Sequence, residues 1–195
     1  GKSLFNILFA KTISEIGEKV LLIDADMRKP SLHQKLAMDN ILGLSNYLSD
    51  ETIDRKEIIQ NLKVNENISI ITAGQIPPDP VRLLNSNRFK KFVKELKESS
   101  EFDIILFDTP PIVGLADSRT IGNCVDGSFL LLSLNFTNRM LVKESLKYLR
   151  VKNNFCGIIG NSVKKGHNDD IFKYGYNYKY NNYSYTYSNY MNDET

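Results

Sequence analysis

Three short stretches of this chain hold residue types that can handle phosphate. Gly1-Lys2-Ser3 matches the last part of the phosphate-binding pattern G-x-x-x-x-G-K-[ST]. In that pattern the glycine lets the backbone approach an anion, the lysine brings a point charge to the outer phosphates, and the serine hydroxyl ligates magnesium. Taken alone, the tripeptide also fits an ordinary helix start with a solvated lysine. The second stretch, "LLIDADMRKP" from Leu21 to Pro30, runs from apolar residues into Asp24 and Asp26. Two positions apart, these carboxylates lean to one face while the chain stays extended. The third, "IILFDTPP", ends its apolar run in Asp108, and Pro110 and Pro111 stop the ladder there. Carboxylates behind apolar runs are costly without a cation or donors. Asp108 matches the aspartate that holds magnesium in phosphate-loop enzymes, directly or through water. Each acid separately also reads as a loop or cap residue, but the three stretches together point to nucleotide chemistry.

Bringing these residues together requires elements that return to one edge. From Leu4 to Ile16 apolar residues keep helical spacing, and Gly17 stands where the helix stops. A helix of that length runs about 20 Å, and the strand Val20 to Asp24 returns about 17 Å. Asp24 is therefore expected beside Lys2 and Ser3, at the carboxyl edge of the sheet, where ligands bind. The alternation continues with strands at 68–72, 102–108, 128–134 and 156–161, and helices after Asp79-Pro80, near 117–124 and near 138–150. Asp79 reads as an N-cap and Pro80 as the first helical residue. Alternating strands and helices predict an α/β fold, doubly wound around a mostly parallel sheet with right-handed crossovers.

Composition changes after Asn161. From Lys164 onward there is no valine or leucine, while asparagine, tyrosine, lysine and serine dominate. Such a segment buries too little to offset its ordering entropy. The expected organisation is a phosphate-loop domain over 1–163, with its first strand and most of the loop upstream of Gly1, and a flexible tyrosine-rich tail over 164–195. Eight of the ten tyrosines lie in that tail: Tyr174, Tyr176, Tyr178, Tyr180, Tyr183, Tyr185, Tyr187 and Tyr190.

A net charge of +2 is too mild to argue for nucleic acid, and Cys124, Cys156, His33 and His167 show no ligand spacing. No apolar run approaches the length of a membrane span.

These motifs resemble the bacterial tyrosine kinases that accompany capsule and exopolysaccharide assembly, a phosphate-loop fold related to the MinD and ParA ATPases. "GKS", "LLIDADMRKP" and "IILFDTPP" carry the resemblance, which continues through "GLSNYLSD", "ITAGQIPPDPVRLLNSNRF" and "VDGSFLLLS" to the tyrosine-rich end. Leu4, where the family often has threonine, and Arg82, where an acidic residue is common, depart from the pattern without touching the metal site. The resemblance implies ATP and Mg2+ as cofactors and the tail tyrosines as phosphate acceptors. It also implies a ring-like homo-oligomer, a membrane activator of the polysaccharide co-polymerase type and a cognate tyrosine phosphatase. The expected location is cytoplasmic, at the inner face of the membrane through such a partner or through a segment upstream.

Roles follow from chemistry. A carboxylate near pKa 3.9 cannot deprotonate a phenol near 10 beforehand, because about six units cost roughly 8 kcal/mol. Asp24 is expected to orient the hydroxyl and accept its proton late, as loose phosphoryl transfer permits. Lys2 and a magnesium ion held by Ser3, Asp26 and Asp108 would neutralise the transferred group. Gly1, Lys2, Ser3 and Asp108 are the nucleotide-binding candidates. Asn161 joins them, resembling the family's adenine-contacting position, with strand termination as its plain alternative. Arg28 and Lys29 read as solvated loop charges by default, or as contacts to phosphate or a neighbour. Two rival readings stay open: an ATPase switch with incidental tyrosines, and a non-enzymatic fragment that binds partners through a low-complexity tail.

Overall fold

The computed structural model describes residues 1–134, 136–149 and 154–161. The tail and its eight tyrosines lie outside the described residues. Helix α1 (Lys2–Glu15) opens the fold and leads into strand β1 (Val20–Asp24). Between them Gly17 adopts φ of 95°, a left-handed conformation open to glycine, and its N–H bonds to Ser14 O at 3.1 Å. Two short helices follow, α2 (Leu32–Leu36) and α3 (Leu44–Ser49), then a 3-10 turn (Arg55–Ile58) and strands β2 (Gln60–Asn61) and β3 (Ile68–Ile71). Helices α4 (Pro80–Asn85) and α5 (Asn87–Glu98) precede β4 (Ile104–Asp108). The remaining elements are α6 (Asp117–Gly122), β5 (Ser128–Ser133), α7 (Arg139–Leu149) and β6 (Phe155–Asn161).

The strands form a four-stranded sheet in the order β2-β3-β1-β4 and a separate pair β5-β6. β1 runs parallel to β3 and β4, β5 runs parallel to β6, and the short β2 is antiparallel to β3. The α/β, mostly parallel architecture expected from the alternation is the one observed. One feature differs: among the described residues β4 and β5 are not hydrogen-bonded, so the sheet comes in two pieces.

β1 lies between two strands and under helices on both faces, and all five of its residues are buried. That explains its unbroken apolar run. Leu21 and Ile23 point into a core with Leu44, Leu84, Phe89 and Phe92. On the other face Leu22 packs with Leu32, Ile68 and Ile70, while Val20 packs with Ala10 and Ile13 of α1. The helix expected after Asp79-Pro80 begins as predicted, with Asp79 Oδ1 accepting from Arg82 N at 3.0 Å, but it breaks at Ser86. Ser86 starts α5 afresh, its hydroxyl oxygen accepting from Phe89 N at 3.1 Å.

Candidate active site

The position of the acids follows from strand register. In the β1–β4 ladder Asp24 stands opposite Asp108, and Ala25 N continues the pairing by donating to Asp108 O at 2.8 Å. Both carboxylates therefore reach the carboxyl edge of the sheet at one level. α1 starts at that edge, and two of its residues act on Asp108. Asn6 Nδ2 donates to Asp108 Oδ1 at 2.9 Å, and the nearby Ser3 hydroxyl favours the ionised carboxylate.

The loop after β1 folds around Asp24. Asp24 Oδ1 accepts from Asp26 N at 3.2 Å, while Oδ2 accepts from Ser31 N and Leu32 N, both at 3.0 Å. Asp24 is 0% exposed as a result. Asp26 follows in the same loop, its Oδ1 accepting from Lys29 N at 3.0 Å. The chain turns after Asp24, so proximity of the two acids comes from a hydrogen-bonded loop and not from continued extension.

The electrostatics are those of crowded buried acid. Burial pushes the Asp24 carboxyl from its ordinary 3.8 up to about 6, opposed by the Leu32 and Ser31 N–H groups and reinforced by Asp108 and Asp26. Burial also raises Asp26, against the Lys29 N–H and the Lys2 ammonium. It raises Asp108 too, against the Ser3 hydroxyl, Lys2, Asn6 and Lys35. Three enclosed carboxylates thus crowd together while the Lys2 ammonium acts on Asp26 and Asp108, a balance that favours a further positive charge.

Among the described residues, no group of three or more His, Cys, Asp or Glu side chains is arranged to hold a metal by itself. The donor set still fits magnesium, which usually takes one or two carboxylates, keeps waters and shares phosphate oxygens. Ser3, Asp26 and Asp108 are the residues that would hold it.

Asn161 reaches the site from the other sheet piece. It ends β6 opposite Ser133, and Leu134 N donates to its carbonyl at 2.9 Å. A Cβ placed on Gly1 would lie 2.6 Å from Asn161 Nδ2, so the amide sits directly against the glycine at the start of α1. The structure therefore gathers Gly1, Lys2, Ser3, Asp24, Asp26, Asp108 and Asn161, while the tyrosine acceptors lie outside the described residues.

Three contributors were not foreseen. Asn6 lies one turn after Ser3 on the same helical face, a spacing that could have flagged it. Ser31 Oγ donates to Ser3 Oγ at 2.9 Å across 28 positions, with no local signal. Asp117, buried at the start of α6, accepts from Arg28 Nε at 3.2 and 3.4 Å. The default view of Arg28 as a solvated loop charge is corrected: it is ion-paired to a distant buried acid, tying the acid-bearing loop to α6.

Fold and site together define a phosphate-loop ATPase domain, and a family model described as an AAA domain matches residues 1–123. The chain is 34% identical over 178 residues to the tyrosine-protein kinase YwqD of Bacillus subtilis, spanning 90% of this chain and 73% of that protein. It is 37% identical to a putative tyrosine-protein kinase in the cps region of Klebsiella pneumoniae, spanning 85% of this chain but 22% of that one. Among solved structures it matches the kinase domain of the Escherichia coli tyrosine kinase ETK with a TM-score of 0.73 and 30% identity, over 87% of this chain and 65% of that chain. The Aquifex aeolicus cell-division protein MinD matches with a TM-score of 0.63 at 21% identity, over 84% and 65% of the two chains, a likeness of fold alone. The chain belongs to the family of bacterial tyrosine-protein kinases.

Proposed function

We propose that this protein is an ATP-dependent tyrosine autokinase that transfers the γ-phosphate of ATP to its own C-terminal tyrosines and thereby regulates capsular or exopolysaccharide synthesis and export. The observation that carries the reading is the convergence of Asp24, Asp26 and Asp108 on Lys2 and Ser3 at one sheet edge. Family membership, and a relative in a cps region, support the biological setting.

In this reading the nucleotide's phosphates lie over the start of α1. The backbone at Gly1 allows close approach, and Lys2 offsets charge on the transferred group. A magnesium ion supplies charge neutralisation of the phosphates when bound, with Ser3, Asp26 and Asp108 as its protein ligands. Asn161, against Gly1, borders the nucleotide. Asp24 holds the loop that carries Asp26. Its oxygens meet an incoming phenol only after the Ser31 and Leu32 N–H bonds open. A loose transition state requires only a late proton acceptor, so this opening can accompany tail entry.

The tail tyrosines sit among small polar residues that favour presentation over packing. Each phosphate adds about −1.5 to −2 charges, so modification at all eight positions shifts the tail by about −12 to −16. Repulsion on that scale loosens a ring-like homo-oligomer in which the tail takes part. A membrane activator of the co-polymerase type and a tyrosine phosphatase complete the proposed cycle. Among the described residues no helix is long and apolar enough to cross a membrane, so the proposed place at its inner face depends on such a partner or on a further segment of the protein.

The test is to supply magnesium ATP to the protein carrying a complete phosphate loop and map phosphate by mass spectrometry. Phosphotyrosine at positions 174–190 is expected in the parent and absent in Asp26→Asn. ATP turnover without phosphotyrosine would instead identify an ATPase switch of the MinD type, whose fold this chain shares.

A further inference from the structure

The hydrogen bond at Ser3 constrains its chemistry. A serine hydroxyl has one proton and two lone pairs. The Ser31 hydroxyl, 2.9 Å away, donates to Ser3 Oγ and occupies one of its lone pairs. A single lone pair remains beside the proton, and the Ser31 bond limits the directions it can take. Asp108 is itself anchored by Asn6 Nδ2 at 2.9 Å, from the turn of α1 after Ser3.

Ser31 also performs a separate task through its main chain. Its N–H, with that of Leu32, caps Asp24 Oδ2 at 3.0 Å. One residue thus closes the acid-bearing loop with its backbone and reaches the phosphate-loop serine with its side chain. Removing only the hydroxyl would leave the Asp24 cap in place, so the two tasks are separable.

We propose that Ser31 is a positioning residue for metal binding: its hydroxyl turns the remaining Ser3 lone pair toward the divalent cation that accompanies the nucleotide. The inference rests on the magnesium-nucleotide reading given above and adds a residue to it. Ser31 does not touch the cation, and its effect passes entirely through Ser3.

Calorimetric titration of ADP, with and without magnesium, into the protein carrying a complete phosphate loop tests this in the parent, Ser31→Ala and Ser31→Thr. In Ser31→Ala, binding in the presence of magnesium weakens about tenfold, the usual scale for an outer partner of a metal ligand. Metal-free ADP affinity and the melting temperature stay with the parent's, because the backbone cap survives. Ser31→Thr, which keeps the hydroxyl, restores magnesium-linked binding. Should Ser31→Ala melt early, Ser31→Cys keeps the volume with a much weaker donor and must show the same selective loss. Equal weakening with and without magnesium, or no change at all, overturns the inference while leaving the site reading intact. A parent protein without magnesium-linked ADP binding overturns both.

Discussion

β1 and β6 are alike in sequence and unlike in setting. Both are short, apolar, parallel strands that end in a polar residue at the site, Asp24 in one case and Asn161 in the other. β1 has strand neighbours on both edges and every residue buried, whereas β6 alternates half-buried with exposed residues and, among the described residues, pairs only with β5. Asp24 is consequently held by the ladder to β4, at the end of a strand paired on both edges, and by three backbone donors. Asn161 is held at the end of one ladder. The acids, whose relative placement decides whether a cation can be shared, sit on the over-determined strand. The residue proposed to border the nucleotide sits on the looser one, where tolerance costs less.

The largest test of this contrast is truncation in each strand. Leu22, 1% exposed in β1, should lose about 2–5 kcal/mol of stability as Leu22→Ala, the range for cavities in packed cores. Ile158 in β6 is 48% exposed, and Ile158→Ala should cost under about 1 kcal/mol. Denaturant melts give both values, and similar losses would erase the distinction between the two pieces.

Next in size is the pH response of the buried acids. The folded Asp24 carboxyl titrates at about 6, above its ordinary 3.8. The native state therefore holds a proton that the unfolded chain releases, and stability falls as pH rises through that window. For Asp24 alone, about two units at 1.36 kcal/mol each make on the order of 3 kcal/mol. Metal-free protein should melt higher near pH ~5 than near pH ~7.5, and the opposite slope would refute the crowding of acid on β1 and β4.

A smaller and more selective effect is expected at Asp26. Asp26→Asn keeps an oxygen for the Lys29 N–H while removing a buried charge. It should raise the metal-free melting temperature by ~2–4 °C and abolish the stabilisation that magnesium with ADP gives the parent. A lower melting temperature would mean that the charge is already compensated.

The smallest change belongs to the looser strand. Asn161→Ala should weaken nucleotide binding by about 1 kcal/mol, the scale of one hydrogen bond, with little change in stability. A stability loss as large as that of Leu22→Ala would show that β6 is as tightly held as β1.

How much of this was legible beforehand depended on whether the signal was local. Apolar runs closing in Asp24 and Asp108 announced two strands ending at the site, because a strand covered on both faces has no room for alternation. Parallel crossovers then brought both acids, with Lys2 and Ser3, to one edge. The break at Ser86 was hidden inside a stretch with helical composition. α2 and α3 are too short to stand on propensity and exist because Leu32 and Leu44 are buried by the rest of the fold. The contacts that finish the site were the least readable. Ser31 to Ser3 and Arg28 to Asp117 join positions 28 and 89 residues apart, and neither residue type announces its partner. The enclosure of Asp24 is a loop property as well: it depends on where the N–H groups of Asp26, Ser31 and Leu32 point, which apolar patterning does not encode.

The most direct trial of the central claim is a crystal structure of the protein, with its phosphate loop complete, grown with manganese and ADP, in which anomalous scattering locates the ion. The account predicts one strong peak between Ser3, Asp26 and Asp108, with the nucleotide phosphates lying toward Lys2. An ion bound elsewhere, or a nucleotide seated away from Lys2 with the three aspartates still closed on their own backbone donors, would contradict it.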